Sequence, residues 1–154
     1  MRHVRESLAA VALTVAACGG SANQPPPFTP IVDNSVLMES FLEPNADVIW
    51  ESVGTIVTAA GEENIRPKTE EEWMKVKNAA IAVSEGGNLL MMVPRAVDGD
   101  EWMRLSKAMV ETGAEAIKAA DAKDPDAMFE AGAQIYAVCS NCHAKYDPSI
   151  TRVQ

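Results

Sequence analysis

Histidine is almost missing from this chain: only His3 and His143 occur among 154 residues. Cysteine is nearly as rare, with three. A structural zinc site takes four such ligands, so the chain has few to spare. Basic residues are outnumbered, 13 Lys and Arg against 22 Asp and Glu, for a net charge of −9. That balance disfavours nucleic acid and anionic lipid headgroups and steers basic partners toward the protein. No long apolar run is present. The longest, residues 8–17, is about half of the roughly 20 residues a membrane-spanning helix needs. Alternating β-branched runs are few, which leaves helices as the main building material.

What is present is concentrated near the C-terminus, in Cys139-Ser140-Asn141-Cys142-His143. Two cysteines three apart, with histidine directly after the second, form the attachment pattern for c-type haem. At about 3.6 residues per turn, Cys139 and Cys142 share a helix face and can each form a thioether to a haem vinyl group. His143 lies four residues after Cys139 on that face, where its imidazole can reach the iron. A reducible disulfide, a chance match or a partial zinc site are the plainer readings of the same residues. The zinc reading runs out of ligands, because His3 falls in a segment that export removes.

That segment is residues 1–17. Arg2, His3 and Arg5 precede the apolar run 8–17, which ends in small residues, as a lipoprotein signal peptide does. Val15-Ala16-Ala17-Cys18-Gly19 resembles a bacterial lipobox, which implies cleavage before Cys18 and lipidation of its thiol. Ordinary cleavage nearby would instead leave Cys18 as a spare thiol. Removal of the signal leaves 137 of the 154 residues, enough for one domain with a core. It shifts the net charge from −9 to about −10, because Arg2, Arg5 and Glu6 together carry +1. Residues 18–33 combine Gly and Ser with a run of prolines, the composition of a tether from a lipid anchor. Gly19 after the cysteine leans toward the outer membrane, facing the periplasm.

Residues 34–154 read as the folded domain. A first helix is expected from a cap at Asp33, Asn34 or Ser35 to about Ala60, with Met38, Leu42, Ile49, Val53 and Ile56 on its apolar stripe. Pro44 should kink it. Thr69-Glu70-Glu71-Glu72 is a capping box that opens a second helix burying Trp73, Val76, Ala80, Val83 and Leu90, ended by Pro94. Gly86-Gly87 inside it marks close packing against haem or another helix. A third helix should open near Asp98 or Asp100 and run to about Ala120 on Trp102, Leu105, Met109 and Ile117. A fourth opens at Asp124-Pro125 and carries the cysteines. Glu71–Lys75 and Asp100–Arg104 look alike, which two acidic helix starts burying a Trp explain without a repeat. Four helices with mostly short connections predict an all-α antiparallel four-helix bundle with covalent haem near the C-terminus.

Such a domain, with this pentapeptide on its last helix, resembles the cytochrome c′ and cytochrome c-556 family, the class II c-type cytochromes. The resemblance covers about residues 34–147 and rests on helix order plus one specific motif. It implies haem inside the bundle, with a residue early in the first helix facing the far side of the iron. Low-spin members carry methionine there and transfer electrons. High-spin members carry an apolar residue there and bind small gases. In the segment Asn34–Phe41, Met38 falls at about the position of that methionine. Asn34 stands where relatives often have a basic residue near the haem propionates. Relatives often have arginine shortly after the motif, where Lys145 is the cation available here. The stretch Glu43–Trp50 is unlike familiar members, so the chain reads as a divergent branch.

Residue counting then narrows the iron's second ligand. With His143 the sole histidine after cleavage, the remaining choices are methionine, lysine, water or an open site. Seven methionines remain: Met38, Met74, Met91, Met92, Met103, Met109 and Met128. Most are core filler, and Met38 stands apart as the candidate distal ligand. Leu37, Phe41, Trp50, Trp73 and Trp102 are bundle core that could also line the pocket. The expected function is a periplasmic one-electron carrier holding one covalent haem c with His/Met ligation, not an enzyme, since His143 is committed to iron. A five-coordinate haem protein binding nitric oxide or carbon monoxide is the alternative. Expected partners are redox proteins with basic docking surfaces and the membrane through the lipid on Cys18, with no nucleic acid. The sequence leaves a homodimer open.

Overall fold

The computed structural model describes residues 28–147. The signal peptide, Cys18 and most of the tether lie outside the described residues. The chain is mostly helical, with one small two-stranded sheet. The first helix, α1, comprises an α-helical turn Asn34–Leu37, a π-helical turn Met38–Leu42 and an α-helical segment Glu43–Trp50. Then follow β1 (Gly54–Thr58), β2 (Gly61–Ile65), α2 (Glu70–Leu90), α3 (Glu101–Ala122) and α4 (Pro125–Tyr146). Among the described residues, no helix is long and apolar enough to cross a membrane.

Asp33 caps α1, its carboxylate accepting from the Val36 amide at 2.9 Å. The expected kink is a π-turn. Pro44 has no N–H for the carbonyl four residues back, and the ladder shifts so that the Glu43 amide bonds the Met38 carbonyl, five residues back. Side chains add donors along this irregular stretch. Ser40 Oγ donates to the Val36 carbonyl, and Asn45 Nδ2 donates to that of Phe41 at 2.7 Å.

The first helix ends ten residues before the expected position. Thr55-Ile56-Val57-Thr58 pairs as a strand with residues 61–64, running from Gly54↔Ile65 to Thr58↔Gly61. Stiff β-branched side chains favour this extended form over a helix. Gly61, at φ +131°, takes a backbone angle that L residues rarely adopt. Ile56 therefore leaves the apolar stripe and is 47% exposed, while Leu42, Ile49 and Val53 are buried as expected. The all-α expectation is corrected to this extent.

The later helices follow their signals. Thr69 Oγ1 accepts from the Glu72 amide at 3.2 Å, and the Glu72 carboxylate accepts from the Thr69 amide at 3.0 Å, closing the capping box. The start of α3 is held by Asp98, whose Oδ1 accepts from the amides of Asp100 and Trp102 at 3.0 and 2.9 Å. Asp124 caps α4 by accepting from the Asp126 and Ala127 amides, both at 3.0 Å.

The four helices pack in a ring: α1 on α2, α2 on α3, α3 on α4, and α4 on α1. The glycine pair belongs to this packing. A side chain at Gly86 would strike Leu42 of α1, and a Cβ at Gly87 would lie 2.6 Å from the Ser106 carbonyl oxygen of α3. Farther along, a Cβ at Gly113 would come within 2.8 Å of the Ser84 backbone, and Ser84 Oγ donates to the Val110 carbonyl at 2.9 Å. Ile49, Val83, Leu90, Met128 and Ile135, drawn from all of these helices but α3, are almost fully enclosed.

Candidate functional site

The residues singled out for chemistry meet in one cavity of about 430 Å3. From α4 come Cys139, Cys142 and His143; from α1 come Met38, Leu42, Glu43, Ala46 and Trp50. Val83 of α2 and Met109 of α3 complete the enclosure, with Tyr136 and Ser140 on the α4 side. One α-helical face therefore presents both thiols and the imidazole, and the π-turn begins at the methionine across from them. Met38 and His143 are half-buried, and Cys142 is buried.

Both cysteines are free thiols. Burial pushes Cys139 up to about 11, with further repulsion from a neighbouring Cys142 thiolate. Cys142 is raised as well, by burial first and then by the Glu101 carboxylate. The pair is thus held as neutral thiols near pH 7, poor in the thiolate that metals and oxidants attack. Among the described residues, no three His, Cys, Asp or Glu side chains gather as a metal-ligand cluster.

Beside the cavity, Tyr146 closes the end of α4 onto the α3 start. Its hydroxyl donates to Asp98 Oδ2 at 2.5 Å, and its ring meets Trp102 edge-on at 5.0 Å between centroids. Burial and then the Asp98 hydrogen bond push the Tyr146 phenol up to about 12. Asp98 is lowered in turn, chiefly by that same hydrogen bond and next by the Trp102 amide.

Of the five apolar residues expected near the pocket, Trp50 lines the cavity. Leu37, Trp73 and Trp102 are buried core, and Phe41 packs partly buried against it. The sequence reading does not single out every residue of the cavity wall. Met109, expected in the core, is buried and also lines the cavity. Its helical spacing is that of any core residue, so nothing in the sequence marks it. Arg95, in the α2–α3 connection, lines a separate depression with Asn34 rather than the cavity, and is 8% exposed. Its carbonyl accepts from Asn34 Nδ2 at 3.0 Å, its guanidinium lies 3.4 Å from Asn34 Oδ1, and its Nε has no partner.

Comparison of the chain with protein-family models, curated proteins and solved structures gave no match.

Proposed function

We propose that this protein is a single-haem c-type cytochrome, a divergent relative of the class II group, that carries one electron at a time. The observation that supports this is the cavity: Cys139, Cys142 and His143 share it with the thioether of Met38 from another helix. A volume of about 430 Å3 falls in the usual range for cofactor pockets, about 300–1,000 Å3. On this reading the ring of helices is an antiparallel four-helix bundle with covalent haem in its interior.

Haem c would supply an iron that alternates between Fe(III) and Fe(II). The protein supplies the rest. Cys139 and Cys142 would hold the haem through two thioethers, the sulfur and hydrogen of each thiol added across one vinyl group with no net redox change. His143 would hold the iron through its imidazole, and the soft thioether of Met38 would favour Fe(II) relative to harder ligands. The apolar walls would limit water at the iron and help set its potential.

Arg95 stands outside the cavity wall, beside Asn34, and bears on the same reading. A buried guanidinium with an unpartnered N–H calls for an anion, and haem carries two carboxylates. Joined to Asn34, Arg95 would bring positive charge to the place where relatives use a basic residue of the first helix. Arg95→Gln should then lower the reduction potential in a redox titration, and an unchanged potential removes Arg95 from this role.

Export and lipidation at Cys18 would hold the domain in the periplasm, with the outer membrane favoured. The central test is expression with c-type maturation machinery, followed by denaturation and solvent extraction. One haem that stays with the chain, and is lost in a Cys139→Ala, Cys142→Ala double variant, is the expected outcome. Haem that extracts freely from the wild type ends this reading. A ferrous protein that takes up carbon monoxide at once, with a high-spin spectrum beforehand, would replace electron carriage by gas binding. Cys18→Ser should release the protein from membranes.

A further inference from the structure

Lysine, arginine and histidine are absent from residues 6–65 and again from residues 124–142. The whole of α1, the hairpin and most of α4 are therefore without a cation. The five ion pairs of the described residues all involve cations outside these stretches, and none includes a residue of α1 or α4. Glu39, Glu43, Asp47 and Glu51, each four residues from the next, stand exposed along α1.

Between α1 and α4 runs an apolar groove of about 260 Å3. Ile49, Val53 and Met128 lie along it, and Trp50, Phe129 and Tyr136 form its rims. Phe129 is 61% exposed and Tyr136 is 63% exposed, a large apolar area to leave in water. Trp50 and Tyr136 meet edge-on at 5.8 Å, and both also line the cysteine–histidine cavity. The groove thus shares a wall with the candidate cofactor site.

We propose that this α1–α4 face is the docking surface for a cationic electron-transfer protein, an inference that rests on the haem reading above. Aromatic side chains at the centre with charge kept to the edge is the composition of a protein contact. Glu39, Glu43 and Asp47, in no ion pair among the described residues, select a partner rimmed with lysine or arginine, whose side chains also pack over tyrosine and phenylalanine rings. A second copy of this acidic chain would bring like charges together, and anionic lipid would be repelled in the same way. The shared wall gives the contact its function, because it brings the partner to the near side of the cofactor.

The test uses the mature holoprotein and a lysine-rich single-haem cytochrome c of positive net charge. Electron exchange followed by stopped flow should slow as salt rises. Asp47→Lys with Phe129→Ser should slow it about tenfold at low salt. A matched control on α3 and α2, Glu111→Lys with Ile81→Ser, should stay within about twofold of wild type. Carbodiimide cross-linking mapped by mass spectrometry should join partner lysines to Glu43 or Asp47, a readout that does not depend on haem in this chain. Equal slowing in the control, a rate indifferent to salt, or cross-links confined to α2 and α3 would each overturn the proposal. A dimer of this chain dissociated by Phe129→Ser would overturn it too, assigning the groove to a second copy. Loss of covalent haem would fail the cytochrome reading alone, since cross-linking still reports the face.

Discussion

Trp50 and Gly132, 82 residues apart, are joined by a hydrogen bond from the indole Nε1 to the glycine carbonyl at 2.9 Å. The bond ties α1 to α4 at the wall shared by the groove and the cavity. A Cβ at Gly132 would sit in ordinary van der Waals contact with the indole, at 3.4 Å. Trp50→Phe should keep the ring packing but leave that carbonyl without its donor. The expected loss is about 1–2 kcal/mol in denaturant unfolding. A loss under about 0.3 kcal/mol would mean the bond contributes little to holding the helices together.

Two thioethers, Met38 and Met109, line the cavity, and spectra can tell their roles apart. If Met38 is the distal ligand, Met38→Ala turns the oxidised spectrum high-spin and removes the methionine–iron charge-transfer band. Met109→Leu should leave that band in place and lower stability by less than about 1.5 kcal/mol, as volume-conserving core exchanges do. The reverse pattern would transfer the ligand role to Met109.

Tyr146 offers a pH prediction. Its folded-state value, pushed up to about 12 from an ordinary 10.0, favours the neutral phenol in the folded protein. The associated stability is present below pH 10 and is lost as pH rises through about 12. Carbon-13 NMR of ring-labelled tyrosine should find the Tyr146 transition near 12, and Asp98→Asn should lower it by removing the carboxylate. A Tyr146 transition at 10 in the wild type would contradict the Asp98 hydrogen bond.

Gly87→Ala should be costly and Gly99→Ala should not. The first adds a methyl 2.6 Å from the Ser106 carbonyl oxygen, where backbone cannot yield cheaply, whereas nothing lies within 4 Å at Gly99. An over-packed contact of this kind costs about 1–3 kcal/mol, set against the gain of about 0.5–1 kcal/mol from replacing glycine in a helix. Chemical unfolding of the two variants side by side checks the difference. Equal stabilities would mean α2 and α3 are not in close contact at this point.

Much of the helical layout was legible because its signals are local. The capping box at Thr69, the Asp124-Pro125 start and the acidic opening of α3 act through bonds within a few residues, so a linear reading finds them. The hairpin was missed despite its own local sign, the β-branched run Thr55–Thr58, because Val53 and Ile56 also fit the spacing of a helix continued from Ile49. A short apolar run supports either period, and Gly54 and Gly61 were the residues that could have decided it. The glycine pair was legible as close packing, but which neighbours press on Gly86 and Gly87 was not.

The sequence alone determined the motif Cys139-Cys142-His143, its place on the last helix and the scarcity of histidine, since these depend on identity and spacing. Tertiary structure decided what stands around them. Met38 shares their cavity because α1 packs against α4, while Met109 joins from α3 with no mark in the sequence. Arg95 reaches Asn34 across 61 positions, and Trp50 reaches Gly132 across 82. Contacts of such separation arise only when helices are packed, because side-chain hydrogen bonds and van der Waals contact act over a few ångströms of space, not along the chain.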